Sequence, residues 1–208
     1  MGIPEIINTI VQEFPYALFG SVLVGVICAF LGVYVVARRV VFLGAVLTQV
    51  SVFGIALTFL PFIPVNHTVG SLALALLAVI GLSRLLSGAR VPRDAVLGIV
   101  FVGAIAVRIL IMQKTPKVEV AEIENLLRGD ILFVTPELFV LMVAAFVTAM
   151  VLHLLFFKEF TYTSFDPETA QTQGYNAAGW NLAFYLIAAV VIAFATHMVV
   201  YLFVFGFL

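Results

Sequence analysis

YALFGSVLVGVICAFLGVYVVA (Tyr16–Ala37) runs for twenty-two residues without a charge and then stops at Arg38-Arg39. A helix needs about 20 apolar residues to cross a bilayer core, so this stretch reads as a transmembrane span. The rest of the chain repeats the pattern. Hydrophobic residues make up 64% of the 208 and charged residues 10%, with a mean hydropathy of +1.24. So few charges cannot cover the surface of a water-soluble domain. Lipid can cover it, provided helices satisfy their own backbone polar groups. Six apolar segments follow one another: about Tyr16–Ala37, Phe42–Leu60, Val69–Leu86, Ala95–Met112, Leu138–Phe157 and Leu182–Leu208. The expected fold is all-α, a polytopic membrane helical bundle with about six transmembrane segments. The last segment is longer than one span needs, and a turn near Thr196-His197 into a further span is expected.

The charges orient the bundle. Arg38, Arg39, Arg84, Arg90, Arg93 and Lys158 fall on one side if the segments alternate, against Lys114, Lys117 and Arg128 on the other. The first side is therefore cytoplasmic and the N-terminus outside. A net charge of −1 leaves no basic face for nucleic acid. One cysteine, Cys28, excludes a disulfide within the chain and a cysteine metal cluster. No phosphate-binding GxxxxGK[ST] loop occurs, so the chain does not hydrolyse ATP by that chemistry. No pair of catalytic-type groups lies within the spans, which argues against an intramembrane enzyme. No cofactor is expected.

Two loops carry pattern. EVAEIENLLRG, within the outer stretch from Gln113 to Glu137, has the spacing of an amphipathic surface helix. The inner loop from Lys158 to Trp180 contains SFDPETAQTQGY. Asp166 near an N-cap, Pro167 in a first turn and Gly174 at a C-terminal end predict a short helix over Glu168–Gln173. A short polar helix slung between two spans is suited to docking into a partner.

SFDPETAQTQGY resembles the SFDPE-x-A-x-x-x-G segment of ABC-3 family permeases, the membrane subunits of ATP-driven zinc, manganese and iron importers. Three further stretches resemble that family in the same order: GVYVVARRVVFLGAVLTQVSVFGIAL, RDAVLGIVF and LLRGDILFVTPELF. The resemblance covers about residues 15–208. It implies an ABC importer permease fold, one transmembrane permease domain over 1–208 with a cytosolic coupling loop at 158–180. It implies ATPase coupling for Ser164, Phe165, Asp166, Pro167, Glu168, Ala170 and Gly174. Its implied partners are cytosolic ABC ATPase subunits, a second permease copy and an extracytoplasmic substrate-binding protein. The implied setting is the inner (plasma) membrane of a bacterium or archaeon.

The chain departs from the family in two places. The family's Leu-Gly-Asp-Ala-x-Ser-His stretch puts a carboxylate and an imidazole on one helix face, a donor pair suited to zinc or manganese. Here those positions are Ala45 and Gln49, with Thr48 in place of Ser. Thr48, Gln49 and Asp94 remain as candidates for the translocation path, and no metal ligand set is assigned. Asp94 also suits the positive end of a helix dipole. Arg108 is expected to snorkel outward. His67, His153 and His197 are each expected to hydrogen-bond locally rather than bind metal. The second departure is at the end, where the family runs on for two more spans. The expected function is the permease subunit of a metal-importing ABC transporter, with ATP hydrolysis on a partner. The alternative is a degenerate relative that anchors a membrane complex without transporting.

Overall fold

The computed structural model describes residues 15–60, 65–88, 92–115 and 136–198. All the regular structure in them is helical: α1 (Pro15–Ala37), α2 (Leu43–Leu57), α3 (His67–Gly88), α4 (Arg93–Lys114), α5 (Pro136–Leu155), α6 (Phe157–Phe165), α7 (Pro167–Thr172) and α8 (Ala177–Met198). Five of these, α1, α3, α4, α5 and α8, are long and apolar enough to cross a membrane by length and composition. The expected surface helix between Gln113 and Glu137, and any turn beyond Met198, lie outside the described residues.

The second apolar segment differs from expectation. Its helix has 15 residues, a rise of about 22 Å against a bilayer core of about 30 Å. Thr58 closes it by a tight turn, its amide donating to Ile55 and its hydroxyl also donating to the Ile55 carbonyl. The helix is interior. Thirteen of its residues are buried, wrapped by α3, α4 and α8. The approach to α3 is close enough to need glycine. A Cβ on Gly54 would lie 2.6 Å from the Gly70 carbonyl oxygen and 2.8 Å from the Ser71 Cα.

Packing divides the bundle. α2, α3 and α4 pack on one another, while α1 packs on α5 and α6, and α8 touches both groups. The shared core includes Leu31, Leu43, Leu47, Met142, Phe146 and Phe184. α1 ends in a Schellman turn. The Val40 amide donates to Val35 O at 3.2 Å and the Arg39 amide to Val36 O at 3.0 Å. That pattern demands a left-handed residue at the turn, and Arg39 supplies it with φ 56°.

Candidate functional site

The polar end of the bundle gathers three arginines and the inner loop around one cleft of about 590 Å³. Arg38, Arg39, Arg93, Asp94, Asp166 and Glu168 all line it. The chain there is more ordered than a loop. The fifth segment breaks at Phe156, and α6 follows at once. Its hydroxyls turn inward, Thr163 donating to Glu159 O at 2.7 Å and Ser164 to Phe160 O.

α7 is a capped helix. Asp166 at the N-cap accepts from the Thr169 amide at 3.0 Å, and Pro167 occupies the first turn. Those bonds hold the Asp166 carboxyl below the usual carboxylate range, because they favour the ionised form. Gly174, at φ 88°, ends the helix. Its amide donates to Gln171 O and that of Tyr175 to Ala170 O, both at 3.0 Å, the same turn that closes α1. The helix starts one residue earlier than the sequence predicts and ends one residue earlier.

Six of the seven residues expected to couple to an ATPase split by direction. Ser164 and Ala170 are buried, at 4% and 1% exposure, and anchor the segment. Phe165 (65% exposed), Asp166, Pro167 and Glu168 face out. An exposed phenyl ring beside two carboxylates makes a surface with both apolar and ionic grip.

Aromatic packing fixes this segment to the spans. Phe160 stacks on His153 of α5 at 4.4 Å and meets Trp180 of α8 edge-on at 5.3 Å. Phe156 also meets Trp180, at 5.2 Å. His153 is fully buried, with Phe30, Tyr34 and Phe184 against its ring edges. Asn176 caps α8, its Oδ1 accepting from the Gly179 amide at 3.0 Å.

Sequence reading missed Arg38. It counted as a charge that orients the first span. The structure turns it inward, 4% exposed, with its guanidinium 4.5 Å above the Phe184 ring. Nη2 donates to Thr163 Oγ1 at 3.4 Å. Burial pulls its pKa down to about 10, an effect that Tyr185 and Tyr34 oppose and Arg93 adds to. It stays a cation at neutral pH. Its spacing of four from Tyr34 was the available signal, since that places both on one helix face.

The translocation candidates separate. Thr48 and Gln49 are buried on α2, at 1% and 5% exposure. Thr48 donates to Ala45 O at 2.8 Å, while Gln49 Oε1 has no hydrogen-bond partner among the described residues. Asp94 is exposed in the first turn of α4 and lines the cleft with Thr163–Glu168. Among the described residues no three His, Cys, Asp or Glu side chains cluster to hold a metal. His67 bonds locally as expected, its Nδ1 2.6 Å from Thr58 Oγ1. Arg108 is half-buried, with Nε and Nη1 shielded from solvent.

Comparison with known proteins adds to this geometry. The sequence model of the ABC 3 transport family matches residues 11–208. The chain is 25% identical over 160 residues to the manganese transport system membrane protein MntC of Listeria monocytogenes, covering 77% of this chain and 56% of that protein. It is 27% identical over 193 residues to a probable iron transport system membrane protein of Haemophilus influenzae, covering 90% and 67%. The chain thus spans little more than half the length of the manganese relative. Among solved structures, PsaBC from Streptococcus pneumoniae in complex with Fab superposes with a TM-score of 0.80 at 21% identity, covering 99% of this chain and 74% of that one. At that identity the likeness is one of fold.

Proposed function

This chain belongs to the ABC 3 transport family, and we propose that it is the membrane-spanning permease subunit of an ATP-driven importer of a divalent metal ion. ATP hydrolysis takes place on a separate cytosolic subunit that grips the α6–α7 segment. A second permease copy completes the path, and an extracytoplasmic binding protein delivers the ion. The setting is the inner membrane of a bacterium or archaeon. Manganese and iron are the first substrates to test, since relatives carry those names.

The observation that carries this reading is the construction of α7. It is capped at both ends and anchored by Ser164 and Ala170, and it presents Phe165, Asp166 and Glu168 to solvent. Closure of an ATPase dimer must push on something rigid, and a helix fixed between two spans transmits force where a loose loop would absorb it. The test is co-purification. The full-length protein should carry its ATPase in stoichiometric amount from detergent-solubilised membranes. Asp166→Ala with Glu168→Ala should release it. Retention of the ATPase by that double variant would remove the basis of the reading.

One observation favours a non-transporting role. Ala45 offers no donor, and Gln49 supplies only a neutral amide. A permease of this kind would bind the ATPase yet move no metal. Manganese uptake into vesicles holding the assembled complex separates the two.

A further inference from the structure

At the polar end of the bundle, Arg38 holds both packing groups. α1, α5 and α6 form one group, and α2, α3 and α4 the other. The guanidinium of Arg38 lies over Phe184 of α8 and donates to Thr163 of α6. Its main-chain carbonyl accepts from Arg93 Nη1 of α4 at 3.1 Å. That carbonyl is free to do so because it lies just past the end of α1, where helix geometry leaves carbonyls without an internal partner. Thr163 is equally committed. Its own proton goes to Glu159 O, so toward Arg38 it can only accept.

We propose that Arg38 is the positioning residue through which movement of the coupling segment reaches the spans, its side chain holding α6 and α8 and its carbonyl holding α4. The inference rests on the reading of α6–α7 as the segment the ATPase grips. Two further observations support it. Nε and Nη1 are buried and have no hydrogen-bond partner among the described residues. A cation kept in such a place forgoes part of its hydrogen bonding, and a buried charge that is only partly satisfied is expensive to retain for stability alone. Unspent donors also let the guanidinium exchange partners as α6 shifts, without the cation being exposed. Thr163 and Ser164 bury their hydroxyls beside it, while Phe165 onward faces out. A push on the outer face therefore passes inward through Ser164 and Thr163.

The test uses the full-length protein with its ATPase in lipid nanodiscs and proteoliposomes, with manganese(II) as the transported probe. Arg38→Leu, Arg38→Lys and Thr163→Val are compared with wild type for ATPase content, ATP turnover and manganese moved per ATP. The ATPase should remain bound in all three. Manganese moved per ATP should fall at least roughly tenfold in Arg38→Leu and about threefold in Thr163→Val, the latter the size of one ordinary lost hydrogen bond. Arg38→Lys should recover part of the loss, since a lysine ammonium keeps the charge but not the planar fork. Thr163→Val preserves shape, so it keeps the test decisive if Arg38→Leu fails to fold. Unchanged transport per ATP in folded Thr163→Val and Arg38→Lys would overturn the role of Arg38 and leave the permease reading standing. A wild-type complex without ATPase would overturn both.

Discussion

Helices α2 and α4 are both apolar, neighbours in the fold, and opposite in surroundings. α2 buries thirteen of its fifteen residues against other helices. α4 has 22 residues and buries Leu97 and Ala104 alone. Hydropathy is blind to this difference, because lipid tails and leucine side chains are alike to it. The difference is written instead in small residues and polar groups. α2 carries Gly44, Thr48, Gln49, Ser51 and Gly54, all buried. In α4, by contrast, Gly98 and Gly103 have open space where a Cβ would go. A glycine is informative only with its neighbour. Gly54 is a contact, and Gly103 is a gap.

Truncation gives the largest contrast. Leu47→Ala, at a fully buried position, should cost about 2–5 kcal/mol through the cavity it leaves. Ile99→Ala, at 73% exposure on α4, should stay within about 0.5 kcal/mol. Thermal unfolding in detergent measures both. A large loss from Ile99→Ala would mean that another protein chain covers α4. Enlargement gives a smaller contrast of the same kind. Gly54→Ala drives a methyl group into the α3 backbone and should cost about 1–3 kcal/mol. Gly103→Ala meets nothing and should stabilise by about 0.5–1 kcal/mol through helix propensity. Equal stabilities for the two variants would break the proposed order of packing.

The smallest effect belongs to a third environment, water, at the exposed start of α7. Asp166 has its carboxyl held below the ordinary range by the Thr169 hydrogen bonds. A depressed carboxylate contributes stability that is whole above its unfolded pKa and is lost as pH falls through the folded one. The Thr169 amide resonance should therefore keep its bonded position at neutral pH and shift only once the solution falls below the ordinary carboxylate range. Asp166→Asn, which keeps an oxygen acceptor, should flatten that transition. A transition at the ordinary carboxylate pH would show that the cap is open in solution.

What was legible in the sequence was local. The spans announced themselves by length, and α7 by Asp166, Pro167 and Gly174, because caps act within one turn. The helical nature of α6 was not legible. KEFTYTSF mixes charged, polar and aromatic residues, and its order comes from Trp180 and His153, which meet Phe160 in space. Nor was the direction of Arg38, since Phe184 and Thr163 lie more than a hundred residues away in the chain. The left-handed turn at Arg39 was hidden for a different reason. Glycine advertises that conformation, as at Gly174, and arginine does not. The positions named for the translocation path fell into two places, Gln49 in the interior and Asp94 at the polar cleft. Sequence spacing carries no information about which end of a bundle two helices share.

The enclosure of α2 also sets an order of events during synthesis. Its partner α8 begins 120 residues after α2 ends. At about 5–20 residues per second that interval is roughly 6–24 seconds. Throughout it α2 has no α8 to pack against. The newborn chain therefore passes through a vulnerable half-built stage, in which its most deeply enclosed helix waits at the insertion machinery or in bare lipid for the wall that will close over it.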